Sequence, residues 1–216
     1  IYEENEARWW VHTDQGEVIS AQHVIMATGC LSAPKVPDIE GAESFEGPTY
    51  VTGLWPKEGV DFSGQRVAVI GTGSSAIQSI PLIADQASDL TVYQRTPAYS
   101  LPAGNRPLTN SEIVDMKAQY RAFRQAQKSH PAGIPNPPRS FQSAHLATPE
   151  ERQQSYEAGW KTGILTALSS AYSDTLSDQQ ANDWVSDFIR DKIRERVDDP
   201  DVAEALVPKS YPFGTK

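Results

Sequence analysis

Gly71-Thr72-Gly73-Ser74-Ser75-Ala76 has the residue types and spacing of a backbone cradle for phosphate. A first glycine permits a tight turn from strand to helix. A second removes the side chain where a pyrophosphate must approach, and a small third residue, here Ala76, lets the helix pack on the strand. The helix start adds free N–H groups and a partial positive charge, and Ser74 and Ser75 add hydroxyl donors. Arg95 stands 24 residues beyond Gly71, followed by Thr96, with no acidic residue between Asp89 and Arg95. An NAD site places a carboxylate at about 20 residues, to accept the ribose hydroxyls. A guanidinium instead suits a 2′-phosphate, which a carboxylate would repel. These residues point to NADP rather than NAD. The plainer alternatives are a structural glycine-rich turn and an exposed charge at a strand end.

Such a motif means little without its frame. Gln65–Ile70 reads as the strand before it, a helix runs from the turn to about Asp85, and Leu90–Gln94 reads as the next strand, so residues 63–97 form a βαβ unit. Upstream, Arg8–Thr13 and Glu17–Ser20 pair across an Asp14-Gln15-Gly16 turn, and His23–Ala27 reads as a short buried strand. Residues 31–62 are punctuated by Pro and Gly and read as an ordered linker. Downstream the chain is mainly helical. Thr109-x-x-Glu112 is a capping box opening a helix with Ile113, Met116, Tyr120 and Phe123 on one face. Residues 130–147 are loop-like. Thr148-Pro149-Glu150-Glu151 and Ser177-x-x-Gln180 open two more helices, and Asp199-Pro200 opens a short one. The fold class is α/β: a three-layer, Rossmann-like nucleotide-binding architecture with a helical insert.

Composition narrows the field. The 216 residues carry 19 Lys and Arg against 28 Asp and Glu, a net charge of −9. Residues 1–60 hold ten acids and three bases, and no basic block suits a nucleic-acid binder. No apolar run approaches the ~18–20 residues of a membrane helix, and no secretory leader opens the chain. The single cysteine, Cys30, excludes an internal disulfide framework and fits a reducing, cytoplasmic setting. His12, His23, His130 and His145 lack the short spacing of a metal site, so no metal is expected. Ser74 and Ser75 lack the setting of a hydrolase nucleophile. Trp9, Trp10, Trp160 and Trp184 read as core or interface residues.

Several stretches together resemble the flavin-dependent Baeyer–Villiger monooxygenases, nearest the branch of phenylacetone and steroid monooxygenases. Ala27-Thr28-Gly29, the stretch Phe45-Glu46-Gly47-Pro48-Thr49-Tyr50-Val51-Thr52-Gly53-Leu54-Trp55-Pro56 and Gly71–Ala76 come in that family's order. The middle stretch is similar to the family fingerprint F-x-G-x-x-x-H-x-x-x-W-P. Asp61–Arg66, Gln94–Pro97 and the tail from Ala181-Asn182 to Tyr211-Pro212-Phe213-Gly214-Thr215-Lys216 also match. The resemblance spans nearly the whole chain and is weakest over residues 130–175.

The resemblance implies an enzyme that uses FAD, NADPH and O2 to turn ketones into esters or lactones through a C4a-peroxyflavin. The composition leads to the expectation of no membrane and no nucleic-acid partner. Residues 1–34 would end the first segment of a split FAD-binding domain, 35–60 would link domains, and 61–216 would form the NADPH domain with an insert over about 109–207. Gly71, Thr72, Gly73, Ser74, Ser75 and Ala76 would hold the pyrophosphate. Arg95, Thr96 and Lys216 would hold the 2′-phosphate, with Leu31, Ser32 and Pro34 near the cofactor cleft. Phe45, Gly47, Val51, Trp55 and Pro56 occupy fingerprint positions. The family's FAD glycines are not in the sequence and would precede Ile1, and its catalytic Arg would follow Lys216. The chain thus reads as an internal piece that neither catalyses nor retains FAD alone. Oxidation of sulfur or nitrogen nucleophiles, and a silent NADP-binding module, are the alternatives.

One departure is testable. The fingerprint His is Val51 here, and valine can neither donate nor accept a hydrogen bond. Val51→His in the full-length protein is expected to raise NADPH-driven turnover. Unchanged turnover would mean that the linkage made by the family His is unimportant here.

Overall fold

The computed structural model describes residues 1–29, 32–130, 133 and 140–215. Cys30, Leu31, Lys216 and most of the Pro-rich stretch after His130 lie outside the described residues. The chain divides into two compact units, residues 1–61 and 62–216.

In the first unit β1 (Tyr2–Glu3), β2 (Arg8–His12) and β3 (Val18–Ala21) form an antiparallel sheet in that order. Trp9 pairs with Ala21 and His12 with Val18. The hairpin closes where the Thr13 N–H donates to the Glu17 carbonyl at 2.9 Å, with Gly16 at a φ of 81° that favours glycine. The short β1 is not legible in the sequence; it is held by its pairing of Tyr2 with Trp9. The expected strand over 23–27 does not form. That run is apolar enough for a strand covered on both faces, yet no described strand pairs with it, and Ile25 and Met26 remain 90% and 81% exposed. Among its described residues the linker holds two short 3₁₀ turns, Ala42–Ser44 and Thr52–Leu54.

The second unit opens with β4 (Arg66–Ile70), α1 (Ser74–Ala84) and β5 (Asp89–Tyr93). The two strands are parallel, with Arg66 opposite Asp89 and Ile70 opposite Tyr93. A parallel pair needs a crossover, and α1 supplies it.

Among the described residues six helices follow: α2 (Asn110–Ala118), α3 (Tyr120–Ser129), α4 (Pro149–Lys161), α5 (Leu165–Ser169), α6 (Gln179–Arg196) and α7 (Pro200–Leu206). The helix expected to run on from Thr109 is broken at Gln119, whose φ of −94° and ψ of 4° lie outside helical geometry. Its apolar residues Met116, Tyr120 and Phe123 stay exposed, so nothing in the packing holds the two pieces straight. The cap of α6 lies one residue later than expected: Asp178, not Ser177, accepts from the Ala181 N–H at 2.9 Å. The five-residue α5 escaped the sequence reading because it carries neither a capping side chain nor a clear period.

The core sits in this helical part. Ala181, Val185, Phe188 and Ile189 of α6 recur at helical spacing and pack with Tyr156 and Leu168. Phe213 joins the same core, gripped by Asn182: Nδ2 donates to the Phe213 carbonyl at 2.9 Å, and Oδ1 accepts from its N–H at 3.0 Å. Asn182 also donates to the Thr175 carbonyl and accepts from Ser186, so this buried amide is fully satisfied. Among the described residues no helix is long and apolar enough to cross a membrane.

Both predicted capping boxes form. Thr109 accepts from the Glu112 N–H while Glu112 reaches back to the Thr109 N–H, and Thr148 and Glu151 do the same. Arg106 grips Glu112 through two N–H groups, at 2.9 and 2.5 Å. The guanidinium, then the Thr109 N–H and hydroxyl, lower the Glu112 carboxyl from 4.5 to about 2. A lowered folded value stabilises above the ordinary pKa and is lost as pH falls through the folded one. Glu112→Gln is therefore expected to protect the α2 amides less than wild type at neutral pH. That gap should close between pH 4.5 and about 2, as read by hydrogen exchange.

Candidate functional site

The site is built where β4 ends and α1 begins. Gly71 takes a φ of 101°, a left-handed conformation that a side chain would strain. Its N–H donates to the Tyr93 carbonyl at 2.8 Å, which carries the β4–β5 ladder one residue into the turn. Gly73 is the N-cap of α1, extended at φ −74° and ψ −179°, so conformation does not demand a glycine there. A Cβ on Gly73 would meet nothing within 4 Å. The space beside it is open.

That opening faces unpaired donors. The first four N–H groups of a helix have no intrahelical partner. In α1 these are Gly73, Ser74, Ser75 and Ala76, because the first helical bond runs from the Ile77 N–H to the Gly73 carbonyl at 3.0 Å. Among the described residues no side-chain cap serves this helix start. Gly73, Ser74 and Ser75 are exposed and Ala76 is half-buried. Anions are favoured at such a helix start by these donors and by the helix dipole, and no acidic residue occupies the first turn.

Arg95 and Thr96 follow β5 at the same end of the parallel pair, Arg95 exposed and Thr96 half-buried. Gly71–Ala76 and Arg95–Thr96 thus lie at one end of one βαβ unit, where the carboxyl ends of parallel strands open. One contact there escaped the sequence reading. Thr72 Oγ1 donates to Gln94 Oε1 at 3.2 Å, a pairing across 22 residues that no local spacing announces. Beyond it, a cavity of about 500 Å3 lies between Ile77, Ile80 and Val92 on one side and Trp160, Ile193 and Leu206 on the other.

The fingerprint residues and the two described residues near position 31 belong to the first unit. The Phe45 ring covers Gly47, where a Cβ would stand 2.5 Å from it, and Pro34 covers Gly53 at 2.8 Å. A Cβ at Gly53 would press on the Pro34 ring, whereas at Gly47 it would displace the exposed Phe45 side chain. Tyr50 and Trp55 stack at a tilt with ring centroids 5.8 Å apart. Val51 is half-buried and its carbonyl accepts from the Leu54 N–H at 2.8 Å, so its backbone forms the 3₁₀ turn while its side chain makes no polar bond. Pro56 is half-buried, and Ser32 and Pro34 are exposed.

A sequence family described as pyridine nucleotide-disulphide oxidoreductase matches residues 2–151, well over half of the chain. The chain belongs to this family. Its homologues and structural neighbours are Baeyer–Villiger monooxygenases, with steroid, cyclohexanone and cyclopentanone monooxygenases among them. A Baeyer–Villiger monooxygenase of Pseudooceanicola batsensis is 41% identical over 164 residues, 75% of this chain and 29% of the relative. The solved structure of an oxidized steroid monooxygenase bound to NADP is 44% identical, with a TM-score of 0.89, over 100% of this chain and 41% of that one. The structure of OTEMO in complex with FAD and NADP has a TM-score of 0.92 at 37% identity, again over 100% of this chain and 41% of that one. The chain spans about 40% of the length of the curated relatives that match it throughout.

The two turn glycines should respond differently to substitution. Gly71→Ala is expected to destabilise the unit by about 1–2 kcal/mol, because alanine must be held at positive φ. Gly73→Ala is expected to leave stability within about 0.5 kcal/mol, since it is an extended, open, exposed position. Urea unfolding of both variants checks the contrast.

Proposed function

We propose that this chain is the NADPH-binding part of an FAD- and NADPH-dependent Baeyer–Villiger monooxygenase that uses O2 to convert ketones to esters or lactones. The observation that carries the reading is the open, uncapped start of α1 behind Gly71 and Gly73, with Arg95 at the neighbouring strand end. A bare glycine beside unpaired N–H groups fits a pyrophosphate, and it has no packing reason to be a glycine. The complexes of related proteins with NADP, and with FAD and NADP, support the same cofactors.

In this reading the N–H groups of Gly73, Ser74 and Ser75 hold the pyrophosphate, with the Ser74 and Ser75 hydroxyls beside them. Thr72 and Ala76 shape the turn. Arg95, Thr96 and Lys216 hold the 2′-phosphate, and Leu31, Ser32 and Pro34 lie near the cofactor cleft. Residues 1–34 end a first FAD-domain segment, 35–60 link the domains, and 61–216 form the NADPH domain with its insert over about 109–207. When bound, NADPH supplies a hydride and FAD the oxygen transfer; this chain orients the dinucleotide and adds no reacting side chain of its own. The setting is cytoplasmic, supported by the lone cysteine, and neither a nucleic acid nor a membrane is a partner, supported by the acidic balance.

The full-length protein should be incubated with NADPH, O2, an aryl ketone and a thioether. Ester from the ketone is the expected product. Sulfoxide alone would move the assignment to heteroatom oxidation, and neither product would overturn it. In the same assay Arg95→Ala is expected to cut the preference for NADPH over NADH by about tenfold or more, the scale of one lost charged hydrogen bond.

A further inference from the structure

Gln94 stands between the last residue of β5 and Arg95, and both ends of its amide are engaged. Oε1 accepts from Thr72 Oγ1 at 3.2 Å. Nε2 donates to the Ala205 carbonyl in the last turn of α7 at 2.8 Å. The last four carbonyls of a helix lack intrahelical partners, so the amide fills a vacancy that α7 creates. The half-buried side chain therefore bridges the phosphate turn and the helical insert.

The position of that bridge is informative. Thr72 is the one side chain between Gly71 and Gly73, and hence the one handle by which the crest of the turn can be held. The backbone ladder ends with the Gly71 N–H on the Tyr93 carbonyl. The Thr72–Gln94 bond continues the tie one residue further, where the main chain bends away. At its other end the bridge rests on a braced element. Asp199 caps α7 by accepting from the Asp201 and Val202 N–H groups. Glu204 pairs with Arg194 of α6 at 2.5 Å and with Lys209 at 2.7 Å.

We infer that Gln94 is a positioning residue for dinucleotide binding: it braces Thr72, and with it the free N–H groups of α1, against α7 while anchoring the base of Arg95. The inference rests on the NADPH reading above. Gln94 does not touch the reacting atoms; it sets the separation between the phosphate turn and the residue that reads the ribose phosphate. The insert thereby contributes to cofactor affinity without lining the turn.

The test is a double-mutant cycle in the full-length protein, with Gln94→Met, Thr72→Val and the pair. Gln94→Met is expected to raise KM for NADPH about tenfold, with kcat at saturating NADPH changed less than about twofold. The KM for the ketone should not move, whereas a general loosening of the fold would move it together with kcat. Because Thr72→Val breaks the same bond from the turn side, the doubly substituted protein should be no worse than the worse single variant. If Gln94→Met proves insoluble, the Thr72→Val shift in KM for NADPH carries the test. An unchanged KM for NADPH, or effects that multiply in the pair, would overturn the inference. A wild-type protein with no saturable dependence on NADPH would overturn the functional reading first, before any variant is compared.

Discussion

Four backbone N–H groups at the start of α1 have nothing inside the helix to bond to, and among the described residues no side-chain cap satisfies them. That constraint orders much of what surrounds it. Gly71 must leave the strand at positive φ, because only that path brings the chain round so tightly. A Cβ on Gly73 would meet nothing within 4 Å, so the space beside these donors is open. The parallel pairing of β4 with β5 brings the end of β5, and so Arg95, to the same end of the unit.

The helical part is where the second unit gets its rigidity. The parallel strands are a poor anchor by themselves: two strands make a marginal sheet, and Ile70 and Tyr93 are 71% and 57% exposed. The core instead gathers around α6, with Val185 and Ile189 fully buried. From there the structure reaches back to β5 along two routes. Gln94 binds α7. Tyr211 donates to the Pro97 carbonyl at 2.7 Å, and Tyr99 donates to the Tyr211 carbonyl at 3.2 Å, with Arg190 of α6 donating to the Tyr99 hydroxyl. The insert thus acts as a brace for the strand end that carries Arg95.

The linker of the first unit follows a different logic, in which contacts rather than hydrogen-bond ladders dictate residue type. The Pro34 ring lies close over Gly53, a glycine that no positive φ requires, and the exposed Phe45 ring folds over Gly47. Val51 keeps the backbone bond of its 3₁₀ turn without a polar side chain, so the local fold survives a residue that the fingerprint would not choose.

Much of this is determined by the sequence alone. The glycine turn, the βαβ frame, the two capping boxes and the Arg at the strand end are local patterns, each set by chemistry within a few residues, and the structure realises them nearly where they were expected. The hairpin is legible for the same reason. What the sequence could not decide depends on partners far along the chain. Residues 23–27 have the composition of a strand, but a strand exists only where another strand accepts its hydrogen bonds. The apolar stripe after Thr109 has helical spacing, but no packed neighbour holds it continuous past Gln119. Asn182 on Phe213 and Gln94 between Thr72 and Ala205 span 31, 22 and 111 residues. No local periodicity encodes such pairs; only the folded chain, by placing α6 and α7 against the end of β5, decides that these amides meet those groups.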